Sequence, residues 1–358
     1  GLIGTGASGI QIAQEAAKEA KSLTIFQRTP NLCLPMGQER YSPEDNVRLR
    51  EHWQASLAVR PQCFGGLDYS FIPTNAFDVP DDERLATYQR LWDLGGFSFW
   101  LGHYQDLLTD IDVNNAAYDF WRENVLKRID DPRLAYKLAP ATPPHPFGVK
   151  RPSLEQNFYE IFKQDNVELV CIKDTPIEKV TETGIDTSET SYEFDVIALA
   201  TGFDAHTGGL LDIDIIGSHG RSLKEKWNGG VRSFMGLATS AFPNLLIGYG
   251  PQAPTATSIG PASAEYQGEW MVGLLRYLRE NAIERFDVET AYEQNWRDTI
   301  QEIAGHTLFM KADSWYIGAN IPGKPREMLS YPGGLVNYLA ELEKCRADGY
   351  RGFIFGNA

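Results

Sequence analysis

Apolar positions are grouped at the start of the chain in a way that fixes its first architecture. Leu2-Ile3 is short and apolar, the run from Ile10 to Ala20 carries Ile12, Ala13, Ala16 and Ala17 at helical spacing, and Leu23-Thr24-Ile25-Phe26 is apolar again. Between the first two lies Gly4-Thr5-Gly6-Ala7-Ser8-Gly9, a G-x-G-x-x-G turn. The order is strand, glycine turn, helix, strand, the opening of a dinucleotide-binding fold. In such a turn Gly4 allows the sharp bend, Gly6 lets backbone approach a pyrophosphate, and Gly9 lets helix pack on strand, while the helix start offers free N–H groups to an anion.

Further on, Ser42-Pro43-Glu44-Asp45 starts a helix, with Val47, Leu49, Trp53 and Leu57 expected on its buried side. A second helix is expected near Asp82 to Leu94, carrying Leu85, Tyr88 and Trp92, and a third from Asn114 to Ile129, with Tyr118, Trp121, Val125 and Ile129 on one face. These aromatics read as core. The Gly- and aromatic-rich stretches Gln62 to Ser70 and Gly95 to Gly102 read as candidate lids over a substrate. Strands are expected at Asn166 to Ile172, at Val196 to Ala200 with both faces covered, and at Leu245 to Tyr249. Helices follow from Ala262 to Glu280, from Glu289 to Ala304, and around Leu335, Tyr338, Leu339 and Leu342. Ser314 to Lys324, turn-rich and without periodicity, reads as a loop.

The end of the second strand discriminates between cofactors. An NAD site places Asp or Glu there, whereas an NADP site places positive charge. Here stand Gln27, Arg28 and Thr29, a guanidinium and a hydroxyl suited to a 2'-phosphate. Lys150 and Arg151 form a second cationic pair between Gly148-Val149 and Pro152. They are either surface cations or an anion site, one completing the phosphate pocket and the other pointing toward the chemistry. The apolar run Val196 to Ala200 ends in Thr201-Gly202, small residues where open α/β sheets bind ligands.

At 358 residues the chain has room for about two domains. With 33 Lys plus Arg against 48 Asp plus Glu, the net charge is −15, which argues against nucleic acid or anionic membranes as partners. Cys33, Cys63, Cys171 and Cys345 are widely spaced, as in a reducing, cytoplasmic compartment, and neither they nor the six His residues show metal-ligand spacing. Neither a G-x-S-x-G elbow nor a long apolar span is present. Only three residues precede the glycine turn, although strands average about five or six, so the first strand is expected to be cut and the chain to be part of a longer protein.

These stretches together, Gly-Thr-Gly-Ala-Ser-Gly at 4 to 9, Phe-Gln-Arg-Thr at 26 to 29, Lys-Arg-Pro at 150 to 152, Ala-Thr-Gly-Phe-Asp at 200 to 204, Phe-Pro-Asn at 242 to 244 and Ser-Trp-Tyr-Ile-Gly-Ala-Asn-Ile-Pro-Gly-Lys at 314 to 324, resemble the Baeyer-Villiger monooxygenases. The resemblance covers essentially the whole chain. It implies an α/β flavoprotein with two dinucleotide-binding domains: a Rossmann-like NADP domain over residues 1–204 with a helical insertion at about 40–140, and over 205–358 the C-terminal part of an FAD domain. The family's FAD-binding glycine turn and its F-x-G-x-x-x-H-x-x-x-W fingerprint lie upstream of these stretches and are absent here. FAD and NADP(H) are the implied cofactors, and a small ketone and O2 the implied reactants, with oxygen inserted beside the carbonyl through a flavin C4a-peroxide to give an ester or lactone.

By the same resemblance Gly4, Thr5, Gly6, Ala7, Ser8, Gly9, Thr201 and Gly202 belong to the cofactor site, and Arg28, Thr29 and Lys150 hold the 2'-phosphate. Arg151 is the active-site arginine and Trp315 meets the ribose of the nicotinamide nucleotide. Thr255, Ala256, Thr257 and Ile259 border the substrate pocket, on a loop a little longer than in the cyclohexanone-oxidising members. Two alternatives stand beside this reading: a related flavin monooxygenase acting on nitrogen or sulfur, and a non-catalytic NADP-binding chain.

Overall fold

A computed structural model describes residues 1–356, which divide into two compact units. The first comprises residues 1–40 and 72–203, and the second residues 41–71 together with the chain from Asp204 onward. The segment 41–71, read from the sequence as the start of a helical insertion in the first domain, therefore packs with the second unit.

In the first unit, β1 (Leu2–Ile3) lies between β2 (Leu23–Gln27) and the strand Ala198–Leu199, and Val167–Cys171 completes a four-stranded parallel sheet outside β2. All five residues of β2 are buried, as a central strand requires. Helix α1 (Ala7–Glu19) covers the sheet through Gly9, Ile10, Ala13, Gln14 and Ala17. This corrects the expected face, because Ile12 is exposed and Ala16 only half-buried. Gly9 sets the phase: a Cβ there would lie 2.1 Å from the Gly4 carbonyl oxygen, so position 9 must face inward, and 10, 13 and 17 follow it.

Helices Asp81–Leu94, Ile111–Leu126 and Pro132–Leu138 follow in the same unit. The helix from Ile111 starts on Asp110, whose Oδ1 accepts from the backbone N–H of Asp112 and Val113, and it buries Tyr118, Trp121 and Val125 as expected. On the helix before it Tyr88 is buried but Leu85 is exposed, with Leu91 in its place. The stretch Gly95–Gly102 is no lid: Phe99, Trp100 and Leu101 are buried, in a cluster that includes Tyr88, His103, Phe120 and Phe147.

Three further expectations fail for identifiable reasons. The helix Pro43–Val59 has the expected cap, Ser42 and Asp45 bonding reciprocally, yet buries none of its residues, with Val47 58% and Trp53 55% exposed. Val47 stands well round the helix from Leu49, Trp53 and Leu57, and the stripe those three share is itself left uncovered, with Leu49 45% exposed. The strand at Val196 to Ala200 shrinks to Ala198–Leu199 and lies at the sheet's edge, with Leu199 71% exposed rather than covered on both faces. Leu245 to Tyr249 is not a strand, because Asn244 and Tyr249 take positive φ (60° and 55°) and interrupt any ladder at both ends. Two antiparallel elements were not foreseen: a three-stranded sheet of Ile177–Val180, Gly184–Thr187 and Ser191–Glu193, and in the second unit the pair Arg285–Val288 with Phe353–Gly356.

The second unit is built on helices Gly260–Glu280, Thr290–Gly305 and Gly334–Ala347. The last buries Leu335, Tyr338 and Leu342 and stops before Gly349, whose φ is +67°. The proposed lid at Gln62 to Ser70 is instead packed, with Cys63, Gly65 and Gly66 buried and the Gly65 carbonyl accepting from the Ile259 N–H at 2.8 Å. All four cysteines are free thiols.

Burial makes the fold acid-sensitive. Burial lowers the pKa of His103 to about 3 and that of His145 to about 4, Lys150 adding to the second shift. The unfolded chain takes up these protons near pH 6.5 while the folded chain refuses them until about pH 4 at His145 and about pH 3 at His103, so their contribution to stability is full above 6.5 and falls as pH drops below it. Each histidine then removes up to about 1.4 kcal/mol per pH unit. Thermal melts should show a falling midpoint between pH 6.5 and 4.5, and His103→Phe should flatten that fall.

Candidate functional site

The glycine turn is shaped by close approach. Gly4 has φ +106°, its N–H donates to the Phe26 carbonyl at 3.0 Å, and a Cβ on it would lie 2.4 Å from the Ala200 carbonyl oxygen. The Thr201-Gly202 segment is therefore held against the turn, with the Ala200 N–H donating to the Ile3 carbonyl at 2.8 Å. Gly6, by contrast, has open space where a side chain would stand, as does Gly202 at φ +95°. Gly6, Ala7 and Ser8 are exposed, no side chain caps the start of α1, and its first turn carries no carboxylate. An uncapped helix start, with its N–H groups and dipole facing open space, fits a pyrophosphate.

Asn31 gathers the rest of the site in the first unit. Its Nδ2 donates to the Thr5 carbonyl at 2.9 Å and to Ser153 Oγ at 2.8 Å, and its Oδ1 accepts from the Ser153 N–H at 3.4 Å. Thr5 Oγ1 donates to the Thr29 carbonyl at 3.1 Å. One amide thus links the glycine turn, the strand end bearing Arg28 and Thr29, and the segment that begins with Lys150 and Arg151. Arg28 is exposed, Thr29, Lys150 and Arg151 are half-buried, and the Arg151 guanidinium stands over the Phe97 ring at 5.8 Å. Among the described residues no carboxylate forms an ion pair with Arg28.

The sequence reading missed Asn31 and Ser153; the only signal was a polar residue directly after Thr29-Pro30. It also missed Asn114, which is fully buried. Asn114 bonds both backbone groups of Phe147, at 2.9 and 2.6 Å, and so fixes the turn that presents Lys150. Arg128 braces the other flank with paired bonds to Glu155 at 2.6 and 3.0 Å, a bidentate, charge-assisted contact.

In the second unit Thr255, Ala256 and Thr257 are buried, and Ile259 half-buried, on one loop whose backbone is closely tied down. The Thr255 carbonyl accepts from Tyr249 Oη at 2.9 Å, the Ala256 carbonyl from Tyr316 Oη at 3.2 Å, and the Ala256 N–H donates to Ser330 Oγ at 2.9 Å. Thr257 Oγ1 is an exception, sealed from solvent without a hydrogen-bond partner. Trp315 lies in a short 3-10 turn capped by Ser314, in edge contact with Tyr316 at 4.4 Å. Among the described residues no cluster of His, Cys, Asp or Glu could hold a metal ion, and no helix is long and apolar enough to cross a membrane.

A parallel sheet, an open glycine turn at a helix start and two cationic segments beside it define an α/β dinucleotide-binding protein of Rossmann type. No family model matches the chain. Known proteins do. Cyclopentanone 1,2-monooxygenase of Comamonas sp. (strain NCIMB 9872) is 49% identical over 98% of the chain, and cyclohexanone 1,2-monooxygenase of Acinetobacter sp. is 34% identical over 99%. The chain spans 64% of the length of each of these relatives. Among solved structures, OTEMO in complex with FAD and NADP superposes with a TM-score of 0.95 at 34% identity, covering 99% of this chain and 65% of that one. The chain is homologous over nearly its whole length to Baeyer-Villiger monooxygenases, and its fold matches that of the flavoproteins with two dinucleotide-binding domains.

Proposed function

We propose that the chain is the NADP-binding part, residues 1–204, and the later FAD-binding part, residues 205–358, of an FAD- and NADPH-dependent monooxygenase. Its reaction is insertion of one oxygen atom from O2 beside a ketone carbonyl, giving an ester or lactone, in the cytoplasm and without a nucleic-acid or membrane partner. The observation that carries this reading is the Asn31 bridge, which joins the open glycine turn to both cationic segments.

In this reading Gly4 to Gly9 and Thr201-Gly202 receive the pyrophosphate of NADP(H). Arg28, Thr29 and Lys150 bind its 2'-phosphate, and Trp315 meets its nicotinamide ribose. NADPH, when bound, supplies hydride, and the flavin supplies the activated oxygen. Arg151 holds a fixed positive charge where the attack on the carbonyl develops negative charge, and a guanidinium does so without gaining or losing a proton. Thr255, Ala256, Thr257 and Ile259 shape the pocket for a small ketone.

Product analysis tests the reaction type: the protein in its full-length form, given a cyclic ketone and a thioether, should convert the ketone to lactone. Exclusive sulfoxide formation would favour the second reading, oxidation at nitrogen or sulfur, which the likeness to a phenazine N-monooxygenase of Lysobacter antibioticus at 34% identity keeps in view. A protein that never carries flavin absorbance would be a non-catalytic NADP binder. The unpartnered Thr257 hydroxyl gives a further expectation. Thr257→Val, the same shape without a buried orphan group, should leave the melting temperature unchanged or raise stability by about 1 kcal/mol. It should also shift the ketone KM several-fold, as steady-state kinetics would register.

A further inference from the structure

The second unit holds a cavity of about 380 Å³, within the size range of small-molecule sites, and none of the residues assigned to the proposed reaction lines it. Its charged lining is three cations, Arg221, Lys226 and Arg232, and one carboxylate, Glu293. Lys226 and Glu293 satisfy each other: their side chains are 8% and 3% exposed, Nζ bonds the two carboxylate oxygens at 2.8 and 3.0 Å, and Thr239 and Ser240 supply the remaining bonds. That pair adds neither net charge nor a free donor. The positive charge left on the cavity is that of the two arginines. Arg232 is preset, its Nε donating to Gln294 Oε1 at 3.1 Å and its Nη1 to the Val231 carbonyl at 3.0 Å, while its Nη2 has no acceptor among the described residues. Arg221 makes only a long bond, 3.4 Å, to the Glu225 carbonyl. Among the described residues neither guanidinium pairs with a carboxylate. Two acidic groups nearby are engaged elsewhere: the Glu225 carboxylate accepts from the Ser222 N–H at 2.8 Å, and Asp287 Oδ1 from the N–H groups of Ala241 and Val288 at 2.9 and 2.8 Å.

The helix Thr290–Gly305 begins at the same cavity, with Thr290 in the wall and no side-chain cap at its start, so the positive end of its dipole adds to the two guanidiniums. Its first-turn carboxylate, Glu293, is already neutralised by Lys226. In a chain of net charge −15 this is a local excess of positive charge. The donors come from three places, before and after the short helix Leu223–Trp227 and at the start of the longer one. A tetrahedral phosphate can accept from three such directions, whereas a planar carboxylate presents two oxygens. We propose that this cavity binds a phosphate group, as the free ion or as the monoester of a small metabolite, with Arg221 and Arg232 on its oxygens.

Calorimetric titration of the full-length protein with inorganic phosphate, glycerol 3-phosphate and acetate tests this, with saturating NADP+ present so that phosphate contacts at the glycine turn do not contribute. Phosphate should bind one-to-one with a dissociation constant of about 1 mM or below, and acetate at least about tenfold more weakly. Glycerol 3-phosphate binding more tightly than phosphate would make the ligand a monoester; binding no tighter would make it the free ion. Arg221→Ala and Arg232→Ala should each weaken phosphate by about tenfold. Gln294→Glu keeps both arginines and nearly the same shape but hands Arg232 a carboxylate. It should weaken phosphate by about tenfold as well, and it covers the case in which an alanine variant folds poorly. Lys224→Ala removes an exposed cation that does not line the cavity, and should leave the affinity within about twofold. A wild-type protein that binds no phosphate, binding unchanged in the Arg221, Arg232 and Gln294 variants, an equal loss in the Lys224 variant, or acetate bound as tightly as phosphate would each overturn the proposal.

Discussion

Removing both cations proposed to bind the 2'-phosphate, Arg28→Ala together with Lys150→Ala, should raise the dissociation constant for NADPH by about 10²- to 10³-fold. Each charge-assisted contact to a phosphate contributes roughly 1.5–3 kcal/mol, and partial compensation between neighbouring cations brings the pair to about 3–4 kcal/mol. NADH lacks the 2'-phosphate proposed as their partner, and its affinity should change by less than about threefold. Arg28 is exposed on the strand end next to Thr29, and Lys150 stands three residues before Ser153, so neither truncation removes the Asn31–Ser153 bonds. Fluorescence titration with the two dinucleotides measures the ratio. Equal losses for both would mean that the cations serve folding or the pyrophosphate and do not discriminate the phosphate.

The second large effect is expected at Arg151. In the full-length enzyme Arg151→Ala should lower kcat for ketone oxygenation by about 10²- to 10³-fold, the usual consequence of removing one preorganised electrostatic contact from a developing negative charge. NADPH binding should stay within about threefold, because Lys150 and Arg28 remain. Arg151→Lys should fall between the two, since it keeps the charge but not the planar fork, nor the guanidinium face that stands over Phe97 at 5.8 Å. Single-turnover measurements of flavin reduction and of lactone formation, taken separately, check this. An alanine variant that forms lactone at the wild-type rate would remove Arg151 from the chemistry.

What was legible in the sequence was local. The glycine turn, α1 and β2 follow from spacing alone, and so do the helices near 82, 114, 262, 289 and 335, whose apolar residues recur at helical intervals strong enough to fix their place within a few residues. Faces and coverage were less legible because neighbours decide them. Periodicity along α1 leaves its phase open by one residue, and only the contact between Gly9 and the Gly4 carbonyl settles it. Leu199 has the composition of a central strand residue, and nothing in its own sequence states that it stands at the sheet's edge. In the same way the Leu245 stretch is apolar enough for a strand, but the positive φ at Asn244 and Tyr249 is a tertiary outcome.

The candidate site divides along the same line. Glycines and cations announce themselves by type and spacing, whereas the groups that hold them in place do not. Asn31, Asn114 and Ser153 are ordinary polar residues whose partners lie tens of residues away.

The three contacts made by Asn31 also have a mechanical side. Because a single amide group is fastened at once to the Thr5 carbonyl and to both polar groups of Ser153, the glycine bend and the stretch carrying the guanidinium of Arg151 cannot drift independently. In the proposed reading, a dinucleotide that tightens the first should damp the second, and by reciprocity whatever steadies the arginine should improve the grip on the dinucleotide. On that reading, recognition and reactivity are thereby geared together through one short side chain.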